Sequence, residues 1–259
     1  ARTVSVTVSD EDGGSTVQNK IVTVNNVAPT APVTGADTVA EASIYTLSVG
    51  AVDDPGAESR TGYSIAWGDG STDSFTPAQW NAAAGIFTHT YADGPATPTI
   101  VVSATDEDGS FVLGSHGLTV TNVEPELIIG APTHSDEGAS VLLTINGSDA
   151  AGAGDPLTYS IEWDDGGPVQ TVSAAELALL GGQVAHVYAD DDDGPVNASL
   201  RNITVTASDG DGGNTVRGVD ITINNVAPTL DANGADNATT GSAYTLSLVN
   251  YVDPGQDHI

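Results

Sequence analysis

Three acidic turns carry the chemistry this chain could do. They are Asp10-Glu11-Asp12-Gly13, Asp106-Glu107-Asp108-Gly109 and Asp209-Gly210-Asp211-Gly212. A second acidic loop recurs in step with them, at Asp53-Asp54, at Asp155 with Asp149 upstream, and at Asp253. Asparagines precede these loops at Asn25-Asn26, Asn122 and Asn224-Asn225. Carboxylate and amide oxygens make a hard-oxygen ligand set. Calcium takes 6–8 oxygens at about 2.3–2.6 Å, whereas magnesium prefers fewer protein ligands. Zinc and copper call for His and Cys, and these loops offer no Cys and no phase-matched pair of His. The candidate calcium ligands are therefore Asp10, Asp12, Asn25, Asn26, Asp53, Asp54, Asp106, Asp108, Asn122, Asp155, Asp209, Asp211, Asn225 and Asp253. One Asp-x-Asp-Gly alone is ordinary hairpin-turn chemistry. A salt-solvated acidic surface is the competing reading of all three.

The turns are spaced 96 residues from Asp10 to Asp106 and 103 from there to Asp209. Each is followed by a β-like run and an Asn-Val-x-Pro junction: Asn26-Val27-Ala28-Pro29, Asn122-Val123-Glu124-Pro125 and Asn225-Val226-Ala227-Pro228. A unit of about 100 residues can enclose its own core. The pattern predicts complete units over 27–122 and 123–225, the late part of a unit over 1–26 and the early part of another over 226–259. A chain phased in this way reads as a fragment from the interior of a longer one.

Within a unit the alternation is that of half-buried strands. Thr3-Val4-Ser5-Val6-Thr7-Val8 and Ile203-Thr204-Val205-Thr206 alternate cleanly, and Tyr63-Ser64-Ile65-Ala66-Trp67 recurs as Tyr159-Ser160-Ile161-Glu162-Trp163. Many short strands per unit predict an all-β fold of tandem sandwiches. One segment breaks the pattern at the same phase in both complete units. Thr76-Pro77 opens one short helical insertion, and Ser173 with Glu176 forms a capping box for the other.

Composition narrows the function. The 35 acids against 5 bases leave a formal charge of −30, which excludes the basic patch that nucleic acid requires and disfavours anionic lipid. With no Cys there is neither a disulfide framework nor a thiol nucleophile. No apolar run approaches the length of a membrane-spanning helix, so direct membrane insertion is not expected.

Trp67-Gly68-Asp69-Gly70, then His89-Thr90-Tyr91, then the strand ending at Asp106-Glu107-Asp108-Gly109 resembles the polycystic kidney disease (PKD) repeat. Trp163-Asp164-Asp165-Gly166 and His186-Val187-Tyr188 repeat the pattern. The resemblance implies immunoglobulin-like sandwiches, here PKD-like because of the helical insertion. It implies tandem modules of bacterial or archaeal surface proteins, or spacers in secreted hydrolases, and an extracellular or cell-surface location. The Asn-x-x-Pro junction also looks like the calcium-stiffened linker between cadherin repeats.

Strand direction places the acids. In a sandwich whose chain enters at one end and leaves at the other, the second-to-third-strand loop and the last hairpin turn share the leading end with the incoming linker. That groups Asp53, Asp54, Asp106 and Asp108 with Asn25 and Asn26, and Asp155, Asp209 and Asp211 with Asn122. Asp69, Asp93, Asp164-Asp165 and the run Asp190-Asp191-Asp192-Asp193 fall at the trailing end, to share a junction metal with the next unit or to repel it. His89 with Tyr91, and His186 with Tyr188, read as structural pairs in which the Tyr hydroxyl bonds backbone. Trp67 and Trp163 read as core anchors. No carboxylate pair sits in an apolar frame that would suit acid–base catalysis, so no catalytic residues and no enzymatic activity are expected.

The expectation is a non-catalytic structural or adhesive region of a large extracellular protein, forming a calcium-stiffened rod or filament. Its partners would be neighbouring units and copies of itself. A spacer array of a secreted hydrolase is the first alternative, and a carbohydrate- or protein-binding module the second. The latter is weakened by only three Trp, seven Tyr and three Phe, most at recurring strand positions. Asn146, Asn197, Asn202 and Asn237 fit the glycosylation sequon.

Overall fold

A computed structural model describes residues 1–56, 59–191 and 198–255. Asp192, Asp193 and the sequon Asn197 lie outside the described residues. The chain divides into two compact units. The first comprises Ala1–Val39, Ser43–Tyr91 and Ala96–Thr121; the second comprises Ala40–Ala42, Ala92–Pro95 and Asn122–Ile259.

The first unit opens with the hairpin β1 (Arg2–Ser9) and β2 (Ser15–Val22), antiparallel from Arg2 opposite Val22 to Ser9 opposite Ser15. Its sandwich follows as β3 (Val33–Gly35), β4 (Thr38–Ala40), β5 (Ile44–Val49), β6 (Gly62–Ala66), β7 (Thr72–Phe75), α1 (Pro77–Ala82), β8 (Ile86–Thr90), β9 (Thr99–Thr105), β10 (Ser110–Gly117) and β11 (Thr119–Thr121). One sheet has the order β3-β5-β8 and the facing one β10-β9-β6-β7, with β11 paired to β4. Alternate residues of each strand point inward: Leu47 and Phe87 from one sheet meet Ile65, Ile100, Val102 and Leu113 from the other.

The second unit repeats this plan with β12 (Glu126–Gly130), β13 (His134–Asp136), β14 (Ser140–Ser148), β15 (Thr158–Glu162), β16 (Gln170–Ser173), α2 (Ala174–Leu179), β17 (Gln183–Val187), β18 (Ala198–Ser208) and β19 (Asn214–Asn224). The sheets are β12-β14-β17 and β13-β19-β18-β15-β16, where β13 pairs parallel to β19. Leu143, Ile161, Ile203, Val205, Ile221 and Ile223 form its dry centre. A last hairpin, β20 (Thr229–Gly234) with β21 (Leu246–Val252), closes the described chain. The all-β sandwich expectation is what the structure shows.

The helical insertions form for the reason the sequence gives. Thr76 Oγ1 accepts the Gln79 amide at 3.3 Å while Gln79 Oε1 accepts the Thr76 amide at 2.9 Å. Ser173 and Glu176 do the same at 3.2 and 2.9 Å. Each helix buries one apolar residue, Trp80 or Leu177. Gly85 ends the first insertion at φ +78, where a Cβ would collide with the Val49 carbonyl oxygen.

Candidate metal centre

The three acidic turns share one internal division of labour. In each, the first aspartate is spent on its own turn. Asp10 Oδ1 accepts the Asp12 and Gly14 amides at 3.2 and 2.7 Å. Asp106 Oδ1 accepts those of Asp108 and Gly109 at 2.8 and 3.1 Å. Asp209 Oδ1 takes three, from Asp211, Gly212 and Gly213, and its Oδ2 accepts the Asn122 side-chain amide at 2.9 Å. Burial acts to raise the Asp209 carboxyl, but the Asn122 amide and these backbone donors outweigh it and hold the group below the usual carboxylate range. Asp209 therefore anchors a turn and the Asn122 linker.

A device absent from the candidate ligands fixes the linkers. Glu41 follows β4 and is 1 % exposed. Its Oε1 accepts the Val123 amide at 2.8 Å and its Oε2 the Gly94 amide at 2.7 Å. Glu137 does the same after β13, accepting Val226 at 2.7 Å and Asp191 at 3.1 Å. Both amides at Val123 and Val226 belong to the Asn-Val-x-Pro junctions, so one buried carboxylate staples each junction to a loop.

Beside the first staple the acids converge. Asp155, Glu41 and Asp149 place one carboxylate oxygen each within 4.8 Å of one another, and Asp155, Asp93 and Asp211 do so as well. Asp155 is 3 % exposed, and its Oδ2 and the Asp149 Oδ2 are buried with no hydrogen-bond partner. The Asn122 Oδ1 is buried without a partner too. Among the described residues, no base forms an ion pair with any of these five acids. Burial, the adjoining Asp211 carboxylate, and the charges of Asp93 and Glu41 push Asp155 up to about 7. A buried carboxylate pressed against like charges needs a proton or a cation. A recess of about 270 Å³ lined by Asp149, Gly152, Asp155 and Tyr159 opens beside it. Three carboxylate oxygens in each group are the donor chemistry of a hard divalent cation. A second group, Glu137 with Asp190 and Asp191, adjoins the other staple.

Of the sequence candidates, the structure brings Asp155 and Asp211 together. Asn122 is joined to Asp209. Asp54 meets a different fate: its side chain is 3 % exposed, but Arg60 lies 3.3 Å from its Oδ2 and supplies the positive charge. Asp53 is exposed and pairs with Thr30 through backbone only. Asp10, Asp12, Asp106 and Asp108 join no acidic group among the described residues, and Asn25, Asn26 and Asn225 are exposed. Asp253 Oδ2 accepts the Tyr251 hydroxyl at 2.8 Å while its Oδ1 is buried without a partner. Sequence reasoning missed Glu41 and Glu137 as site residues. Their signal was present, since Glu41-Ala42-Ser43 and Glu137-Gly138-Ala139-Ser140 both precede the strand that pairs with β8 or β17.

The His and Tyr pairs are structural in geometry. His89 stacks on Trp67 with ring centroids 4.7 Å apart, and His186 on Trp163 at 4.3 Å. His89 Nε2 meets Asp69 Oδ2 at 2.6 Å, and His186 Nε2 meets Asp165 Oδ2 at 2.8 Å. Partial burial opposes it, yet bonds from the Ser71 hydroxyl, His89 and the Ser71 amide bring the Asp69 carboxyl down to about 2. Tyr91 donates to the Trp67 carbonyl at 2.9 Å, and Tyr188 to that of Trp163 at 2.8 Å. Tyr91→Phe and Tyr188→Phe are each expected to lower unfolding free energy by about 1 kcal/mol, since a buried carbonyl loses its donor. Urea denaturation of the two variants checks it, and equal midpoints with the parent would show the bonds to be neutral.

No family model matches the chain, and no curated protein does either. Solved structures do. The tetra-tandem repeat in the extending region of a large adhesion protein is 14 % identical, over 98 % of this chain and 70 % of that one, with a TM-score of 0.40. The Yersinia pseudotuberculosis adhesin InvE is 14 % identical over 76 % of this chain and 59 % of that one, with a TM-score of 0.31. Extracellular domains 3–5 of Drosophila OTK are 11 % identical over 85 % and 70 %, also at 0.31.

Proposed function

We propose that this chain is a non-catalytic structural or adhesive repeat region of a large extracellular or cell-surface protein, whose linkers are stiffened by calcium. In this reading the units are PKD-like, with cadherin-like junctions, and the array forms a rod or filament. The observation that carries it is the buried Asp155 carboxylate. It lies among four other acids with no basic partner among the described residues, next to a junction that Glu41 already staples. Such a centre has no role in a spacer that needs only to be soluble, and it lacks the apolar frame of an acid–base site. The ion that suits it takes many oxygens in loose geometry, which is calcium before magnesium.

Metal bound only by the folded centre stabilises by mass action, and calcium at about a hundred times its dissociation constant contributes about 2.7 kcal/mol. Millimolar calcium is therefore expected to raise the unfolding temperature by on the order of 10 °C, with the rise reversed by chelator. Differential scanning calorimetry in calcium, in magnesium and in chelator makes the test. Superimposable traces in calcium and chelator would overturn the proposal, and an equal rise in magnesium would remove the preference for calcium.

A further inference from the structure

We infer that Asp155 bridges two divalent cations, one held with Glu41 and Asp149 and the other with Asp93 and Asp211; this rests on the metal reading proposed above. The two groups have no other residue in common. Within each, the oxygens lie within 4.8 Å of one another. Two ligands on opposite sides of one calcium ion stand up to about 5 Å apart, so each group by itself has the span of one ion's ligand shell.

Charge asks for the second ion. Five carboxylates meet here, and one dication leaves most of that charge uncompensated around a residue that is 3 % exposed. Asp155 and Glu41 are both buried, so their charges repel through a medium that screens them weakly, while Asp93 and Asp211 reach the group from exposed positions. Two dications nearly balance the five.

Hydrogen bonding points to the same residue. Glu41 has both oxygens occupied by backbone amides, and Asp149 Oδ1 accepts the Ala151 amide at 2.9 Å. Of the five carboxylates, the oxygens left buried without a donor are Asp155 Oδ2 and Asp149 Oδ2. A carboxylate shared by two groups, with an unpartnered oxygen, can offer one oxygen to each of two ions. The remaining positions of a calcium shell fall to water or to backbone carbonyls. The first unit shows the alternative solution at Asp54, where the Arg60 guanidinium stands in for a metal.

Ion counting tests the pair. The protein is dialysed against excess calcium, and bound calcium per chain is measured for the parent, Asp155→Asn, Asp149→Ala, Asp211→Ala and the Asp149→Ala/Asp211→Ala double variant. Asp155→Asn should bind two fewer ions than the parent, each alanine variant one fewer, and the double variant two fewer. Circular dichroism in chelator establishes that each is folded. Asp211 is exposed, so its variant and the Asp149 variant keep the inference testable should Asp155→Asn fail to fold. A loss of one ion in both single variants and still only one in the double variant would overturn the bridged pair and leave a single-ion centre. A parent that binds no calcium would overturn the functional proposal and this inference together, an outcome distinct from the first.

Discussion

Glu41→Ala is expected to lower the unfolding free energy of the second unit by about 3 kcal/mol, even in chelator. The variant strips the Val123 and Gly94 amides of a common acceptor. Gly94 is buried, and Val123 is half-buried, so water cannot fully replace the carboxylate. An orphaned buried donor costs about 1–3 kcal/mol, and bonds to a charged acceptor lie at the upper end. Glu137→Ala should cost a similar amount, because it orphans Val226 and Asp191 amides in the same way. Glu41→Gln keeps one acceptor oxygen and should recover about half. Urea denaturation in chelator, followed by tryptophan fluorescence and by circular dichroism, reads these differences. A midpoint for Glu41→Ala within error of the parent would mean that solvent reaches the junction amides freely. Glu41 also belongs to the acidic centre, so the same variant should respond less to calcium than the parent does.

The fold was legible because its signals are local. Period-2 alternation marks β1, β6, β15 and β18, the Ser173–Glu176 capping box could be read from four residues, and the first helix start from Thr76-Pro77, while the Thr76–Gln79 box emerged only in the structure. The recurrence of the acidic turns also marked them as special. What the sequence could not apportion was the work done inside one turn. Asp209 and Asp211 look alike in the string, but backbone geometry aims Asp209 at three amides and leaves Asp211 to face Asp155. Arg60 shows the same limit from the other side. Whether Asp54 needs a metal depends on whether a guanidinium reaches it, and a loop places Arg60 there. Glu41 was hidden among 35 acids because a staple has no motif beyond one residue in phase. Asp93 meets Asp155 and Asp211 across a long stretch of sequence. Strand direction assigned it to the trailing end of its repeat, to share a junction metal with the next unit or to repel it, but did not name the residues it meets.

Asp155→Asn should have opposite effects in chelator and in calcium. Without metal at pH 8, the parent holds an ionised carboxylate where burial and the Asp211, Asp93 and Glu41 carboxylates disfavour it. Asparagine has nearly the same volume and no charge, so the variant should melt higher than the parent by on the order of 5 °C. The pH dependence follows from the direction of the shift. An ordinary aspartate titrates near 3.8 in the unfolded chain, whereas Asp155 in the folded chain is raised to about 7. Between those values the folded state carries a proton that the unfolded state lacks. The stability linked to that proton is whole below the lower value and is lost as pH rises through the upper one. The variant's advantage in chelator should therefore be full at pH 8 and fade toward pH 4. Calcium reverses the order. The parent gains the binding free energy of the centre, while the variant has lost the residue both acidic groups share, and should melt below the parent by on the order of 5 °C at millimolar calcium, the calcium gain less the variant's advantage in chelator. Calorimetry of both proteins across pH, with and without calcium, reads all four conditions. Melting curves of parent and variant that keep the same order in calcium and in chelator would show that Asp155 is buried for packing and that the acids around it serve solvation alone.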